Sequence, residues 1–361
     1  MDTAYPHSIK KFELIEAYVK EWSQKLLNNS KCDGIVFIDC MSNSGVYQDK
    51  EGKQVFGTPI RVANYLSDVM KTYPQKQAKL YFNDNSSDKV EELNKHLPPN
   101  TSNFTIITSI LDGNKLLKEF EFDSSNYCYL VVYDPYEASI DWLALMPFIQ
   151  TWGDVIITHM VNDTIRAVPQ VKKSSAKDKY EHTYLTDFQE LSCLGSDRVA
   201  YEKKVLEIIR RLRGASSRRR YYIASFPFFN TKNTIVYELL LGTSSIEGFK
   251  AFKHLAWKTF GGKSSGKNTY GKEHQIMIDP DNETMLTTYT DENCYYPKDI
   301  ANYLHKLFID QEDVPVKKVW AALDEHPVFP SDGFRTEVRE CLKTTFGDKV
   351  TQRFITFNGK K

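Results

Sequence analysis

The chain has 361 residues, 41% hydrophobic and 26% charged, the composition of a soluble globular protein with apolar residues enough for one large domain or two ordinary ones. Lys+Arg and Asp+Glu both number 47, so bulk charge points to no polyanionic partner, and any nucleic-acid surface has to be a local patch. The cysteines, at 32, 40, 128, 193, 294 and 341, form no CxxC pair, which argues against a zinc knuckle, an iron–sulfur site or a disulfide framework. The opening residues carry no apolar core of signal-peptide type and no run approaches a membrane span, so a soluble cytoplasmic protein with reduced thiols is expected.

In chain order, Phe12, Leu14, Ile15, Tyr18, Val19, Trp22, Leu26 and Leu27 recur at helical spacing and predict a helix over 8–28. β-rich runs and helices then alternate. GIVFID (34–39) reads as a strand. TPIRVANYLSDVMKTY (58–73) reads as a helix with Thr58 as N-cap and Pro59 in its first turn. KLYFND (79–84), FTIITS (104–109), YCYLVVYDP (127–135) and GDVIITHM (153–160) read as strands. The segments 86–97, 113–120 and 139–149 read as the helices between them. Five strands separated by helices predict an α/β, doubly wound, Rossmann-like and largely parallel sheet.

The pattern changes at 161. Residues 162–215 are polar and helix-prone, an insertion in a domain that spans 1–260. RYYIASFPFF (220–229) and NTIVYELLLGTS (233–244) predict a hairpin, and 245–260 a helix. Residues 261–294 read as a linker. Residues 295–361, with three short helices and a β-prone end, outline a winged-helix-like C-terminal module.

Ligands of open α/β sheets bind outside the carboxyl ends of the strands, and carboxylates stand at those ends. Asp39 ends the first strand, Asn83-Asp84 the second and Asp134 the fourth, and Asp112 follows the third. The order suits S-adenosylmethionine. The first loop, through Asp39, Ser42, Ser44 and Gly45, would meet the methionine portion. Asp84 would hold the ribose hydroxyls, and Asp112 would lie near the adenine. That loop has one glycine, and the next strand-end acid lies far beyond the spacing of the nicotinamide fingerprint, which disfavours NAD. Asp134-Pro135-Tyr136 is similar to the D-P-P-Y loop of amino-methyltransferases, in which the acid receives the target amine and the aromatic stacks on the base. The same residues also suit a plain strand-ending turn.

GGKSSGKN (261–268) imitates a phosphate loop but has Asn268 in place of Ser/Thr and follows a helix, so it reads as linker. RRLRGASSRRR holds Arg210, Arg211, Arg213, Arg218, Arg219 and Arg220, followed by Tyr221 and Tyr222. Phosphate contacts with base stacking, or a solvated helix end whose arginines pair with Glu202 or Glu207, both fit that pattern. The histidines show no metal-ligand spacing, and no nucleophile elbow is present.

FIDCMSNSGVY leading to Gly57-Thr58-Pro59, then YFND, then LVVYDPYEASIDWLAL resemble the three-Cys-motif partner family of bacterial and phage proteins over roughly residues 8–260. The resemblance implies a class I methyltransferase-like core, a neighbouring three-cysteine, radical-S-adenosylmethionine-like protein as partner, and a setting in phage defence or mobile elements. Asp39, Gly45, Gly57 and Pro59 match its first segment, and Asp134, Pro135 and Tyr136 a later one. Departures fall at Asn43 for the cradle's first glycine, Asn83 for a ribose-binding glutamate, and Glu137 for a glycine.

Two functions follow. One is an S-adenosylmethionine-dependent methyltransferase acting on a nucleic-acid base or nucleotide, with Asp134 and Tyr136 placing the acceptor. The other is a catalytically degenerate protein that binds nucleic acid or a partner through the arginine stretch and the tail.

Overall fold

A computed structural model describes residues 2–123, 126–151, 153–214, 220–267 and 294–359, with two short paired strands, Met277–Ile278 and Met285–Leu286, in between. Helix α1 (Pro6–Leu27) leads to β1 (Gly34–Asp39), α2 (Thr58–Met70), β2 (Gln77–Asn83), α3 (Ser87–Asn94), β3 (Phe104–Ser109), α4 (Gly113–Lys118), β4 (Tyr127–Tyr133), α5 (Trp142–Gln150) and β5 (Asp154–His159). Four helices follow: α6 (Val161–Ala167), α7 (Ser174–Tyr184), α8 (Phe188–Leu194) and α9 (Arg198–Gly214). The hairpin β6 (Tyr222–Phe229) and β7 (Ile235–Thr243) and the helix α10 (Ile246–Thr259) complete the sheet domain.

The seven main strands form one sheet in the order β3-β2-β1-β4-β5-β7-β6. β1 to β5 are parallel, and β7 runs antiparallel to both β5 and β6. The hairpin expected from the sequence thus extends the parallel sheet, with its second strand inserted inside its first. This is a Rossmann-like, largely parallel α/β sheet.

β1 is buried along its whole length, as a central parallel strand must be. Its side chains alternate. Ile35 and Phe37 enter the core beneath α1, α2 and α10, while Val36 and Ile38 enter the core beneath α4, α5 and α6–α9.

The α2 boundary differs from expectation. Gly57, in extended conformation, is the N-cap, and Thr58 lies within the helix without capping it. Gly57 donates its N–H to the Gly45 carbonyl at 2.8 Å, and a Cβ there would sit 2.6 Å from the Tyr47 ring. Close packing therefore sets the boundary. At α5 the Asp141 carboxylate accepts the Leu143 and Ala144 N–H groups, so the helix starts at Trp142 and not at 139.

Helices α6–α9 are pinned to the sheet by a buried polar knot. His159 Nε2 lies 2.9 Å from the Tyr184 hydroxyl, which also meets Thr164 Oγ1 at 2.6 Å. The fully buried Glu238 of β7 pairs with Arg198 of α9.

The C-terminal segment holds α11 (Pro297–Phe308), α12 (Val316–Ala321) and α13 (Arg335–Phe346). Its three short strands pair in the order Val314–Pro315, Phe354–Thr356, Lys349–Val350. It packs on α10. Trp257 Nε1 donates to the Val328 carbonyl at 3.0 Å, and the buried Lys253 ammonium donates to the carbonyls of Leu323, Asp324 and His326. The segment 261–267, read as linker, is a folded turn. Gly266 N–H reaches the Pro227 carbonyl and Ser264 N–H the Tyr295 carbonyl, each at 3.0 Å. Among the described residues no helix is long and apolar enough to cross a membrane.

Candidate functional site

β1, β2 and β4 are hydrogen-bonded in register, with Asp39 level with Phe82 and Val132. Residues just past those positions therefore project from one edge. They line a crevice of about 1080 Å³ whose wall includes Asp84, Asp112 and Asp134. Asp39 lies buried beneath it, with its carboxylate accepting the Met41 N–H at 3.4 Å. Burial, and then the neighbouring Asp134, hold the Asp39 carboxyl up at about 7. Three of the four strand-end acids thus gather at one rim, with Pro135 and Tyr136 on its lip, while Asp39 is buried.

The loop after β1 works differently from expectation. Ser42, Ser44 and Gly45 do not line the crevice; Met41 and Asn43 do. Ser42 spends its hydroxyl and its N–H on the Asn83 carbonyl, at 3.1 and 2.7 Å. Ser44 Oγ bonds within the loop to Val46, and Gly45 packs against Leu93 and Ile60. The bend is made by Asn43 at φ 56° and Gly45 at φ 67°. Asparagine enters the left-handed region more readily than other side-chain-bearing residues. Asn43 therefore takes the conformation of the missing glycine.

The β2 end settles the register between Asn83 and Asp84. Asn83 is fully buried. Its amide donates to the carbonyls of Cys40 and Leu111 and accepts from Ser109 Oγ and Leu111 N–H, so it ties together the loops after β1, β2 and β3. Asp84, one residue on, faces the crevice. Its carboxylate accepts the N–H groups of Asn43 and Ser86, both at 3.0 Å, which orients it and leaves lone pairs for a ligand. Asp112 is exposed and caps α4 by accepting the Lys115 N–H.

Three crevice residues escaped the sequence reading. Lys11 of α1 is buried, pairs with Asp134, and lies 5.0 Å from the centre of the Tyr237 ring. Tyr47 and Tyr237 complete the wall. A signal for Lys11 existed. It falls at helical spacing with Ile15, Tyr18 and Trp22, so a cation occupies the buried stripe of α1. Tyr237 had none, because it joins from a strand more than 200 residues downstream.

The arginine stretch is dispersed. Arg213 is buried and donates through Nη1 to the carbonyls of Ile149, Gln150 and Thr151 at 2.9, 2.8 and 3.0 Å. It closes the C-terminus of α5 and is not available to phosphate. Arg220 pairs with Glu325 of the tail, while Arg210 and Arg211 are exposed on α9. Arg218 and Arg219 lie outside the described residues. Tyr222 stacks on Phe249 and the Tyr221 hydroxyl is buried, so neither ring is presented for base stacking. Glu202, offered as a partner for these arginines, faces Arg198 instead. Among the described residues no three His, Cys, Asp or Glu side chains are grouped to hold a metal ion.

No family model matches the chain, and no curated protein does. Among solved structures, a Legionella pneumophila protein of the DUF519 family is 12% identical, over 71% of this chain and 91% of its own, with a TM-score of 0.41. A putative O-methyltransferase from Klebsiella pneumoniae is 10% identical over 64% and 80%, with a TM-score of 0.33. A putative S-adenosylmethionine-dependent methyltransferase from Listeria monocytogenes is 10% identical over 63% and 98%, with a TM-score of 0.31.

Proposed function

We propose that the protein is an S-adenosylmethionine-dependent methyltransferase acting on a nucleic-acid base or nucleotide. The observation that carries this reading is the β3-β2-β1-β4-β5-β7-β6 sheet with the strand-end carboxylates of Asp84, Asp112 and Asp134 on the wall of one crevice and Asp39 buried at the end of β1. The cofactor asks for acceptors for a ribose diol, room for adenine, and negative potential for an ammonium and a sulfonium. Asp84 is an oriented carboxylate suited to the diol, and Asp112 stands on the open lip. The carboxylates of Asp84, Asp112 and Asp134 on the crevice wall supply negative potential that favours a cationic guest.

When bound, the cofactor supplies an electrophilic methyl group. The chain's own residues position the acceptor. Lys11 holds the Asp134 carboxylate in place by pairing with Oδ2, leaving Oδ1 to accept from an amine. Tyr136, 89% exposed, offers a flat ring beside it.

A second reading has one observation in its favour. Asp134 is already paired with Lys11, as in a crevice kept for its structure alone. In that reading residues 295–359, whose helix–strand–helix–helix–strand–strand order suits a winged-helix-like module, serve a nucleic-acid or protein partner.

Thermal unfolding with S-adenosylmethionine or its demethylated product separates the two. Ligand at about 100 times its Kd adds roughly 2.7 kcal/mol to the native state and raises the Tm by several degrees. Asp84→Ala is expected to abolish that rise. A flat response of the unmutated protein sinks the methyltransferase reading.

A further inference from the structure

The six cysteines are free, and two of them meet at the end of the sheet away from the crevice. Cys32 lies in the connection between α1 and β1, and Cys128 is the second residue of β4. β1 and β4 are parallel neighbours, with Gly34 opposite Tyr127 and Ile35 opposite Cys128. The connection is drawn against the start of β4 twice. The Asp33 N–H donates to the Asn126 carbonyl at 3.1 Å, and the Asn126 side-chain amide donates to the Asp33 carboxylate at 2.8 Å. Both cysteines belong to the core beneath α1, α2 and α10, so both point to one face of the sheet. Cys32 is buried, and Cys128 is half-buried, which leaves the pair an edge open to solvent.

The two sulfurs are unequal. The Cys128 thiol donates to the Cys32 sulfur. That hydrogen bond holds the Cys32 thiol below its ordinary range against burial, and the Lys76 ammonium works in the same direction. Lys76 is fixed there, since its Nζ donates to the carbonyls of Cys32 and Asn29. Cys128 is pushed up by the same hydrogen bond and then by burial. A thiolate in contact with a thiol is the arrangement from which a disulfide forms. Cys40 differs: it is buried and its thiol donates to the Val132 carbonyl at 3.3 Å.

We propose that Cys32 and Cys128 form a peroxide-responsive dithiol that closes to a reversible disulfide. The Cys32 thiolate attacks one oxygen of hydrogen peroxide. The O–O bond breaks, hydroxide leaves and takes a proton from solvent, and Cys32 becomes a sulfenic acid. The Cys128 sulfur then attacks the Cys32 sulfur and passes its proton to the departing oxygen. The S–S bond forms, the S–O bond breaks, and a second water leaves. The two sulfurs give up two electrons and the peroxide takes them. A small-molecule dithiol reverses the step.

The cross-link joins the amino ends of β1 and β4, whereas the acids of the crevice stand at carboxyl ends. The crevice takes no part, and the methyl-transfer reading is not needed. The closed loop contains β1, β2 and β3 with their helices, so the bond constrains the unfolded chain and favours the folded one.

The test treats the full chain with hydrogen peroxide, at a dose that oxidises the exposed Cys193. Remaining thiols are blocked with N-ethylmaleimide under denaturing conditions, and the peptides are mapped by mass spectrometry without reduction. A peptide linked through Cys32 and Cys128 is expected, with loss of maleimide from both, and dithiothreitol should remove the link. In Cys128→Ser, Cys32 should be trapped by dimedone as the sulfenic acid. The linked chain should melt several degrees above the reduced one, and Cys128→Ser should lose that difference. Recovery of both residues as maleimide adducts, or a link from either to a different cysteine, would overturn the inference; this readout uses the unmutated chain and depends on no variant folding.

Discussion

The loop after β1 and the arginine stretch of α9 present opposite lessons. The loop lacks the glycines of a nucleotide cradle, yet its backbone makes the bend, with Asn43 at φ 56°. The stretch has the arginines of a polyanion site, yet its Arg213 is buried under α5 and its Arg220 is paired with Glu325. Residue type sets what a position is able to do. The position on the sheet decides whether it does it. A loop at the carboxyl end of a central strand keeps its place over the crevice through altered residues, whereas the end of a packed helix turns its cations inward.

Three sets of variants press on this contrast. The largest effect is expected from Arg213→Ala. It leaves three carbonyls at the α5 terminus without their charged donor and should cost roughly 3 kcal/mol in denaturant unfolding. The paired change Arg210→Ala and Arg211→Ala should stay within about 0.5 kcal/mol, as exposed sites do. Equal effects of the two would erase the distinction between buried and displayed arginines.

Next comes the bend. Asn43→Val places a β-branched residue at positive φ and should cost about 1–3 kcal/mol, whereas Asn43→Gly should be close to neutral. If valine is tolerated as well as glycine, Asn43 is not standing in for a cradle glycine.

A third test concerns pH dependence. The Asp39 carboxyl is raised to about 7 in the folded chain, against about 4 in an unfolded one. The folded state therefore holds the extra proton within that window. Its stability falls as pH rises from about 4 to about 7 and stays lower above. Asp39→Asn should flatten that part of the Tm–pH curve. An unchanged slope would mean that burial, with Asp134 beside it, does not raise the Asp39 carboxyl.

Much of the sheet was legible because buried parallel strands write themselves as short β-rich runs. GIVFID and YCYLVVY are nearly unbroken apolar segments, and both are central. The gathering of Asp84, Asp112 and Asp134 at one rim followed from the strand-end rule alone. What stayed hidden depended on distance or on backbone shape. Lys11 meets Asp134 across 123 positions of sequence, and Tyr237 arrives from the hairpin. The buried tie made by Asn83 turns on hydrogen bonds to the loops after β1 and β3. The inward turn of Ser42 and Ser44 depends on hydrogen bonds to Asn83 and Val46 that no local pattern encodes.

The placement of β7 between β5 and β6 has a consequence for how the chain is made. Until residues 235–243 emerge from the ribosome, β5 has β4 as its one partner in the sheet, and its outer row of N–H and C=O groups stays open. Helix α1, made first, also waits for α10 to cover it, since Tyr18 lies edge-on against Phe252. Synthesis thus brings the first and last parts of the sheet domain together in its closing step. A nascent chain stalled before 235 would expose a sticky strand for chaperones to shield.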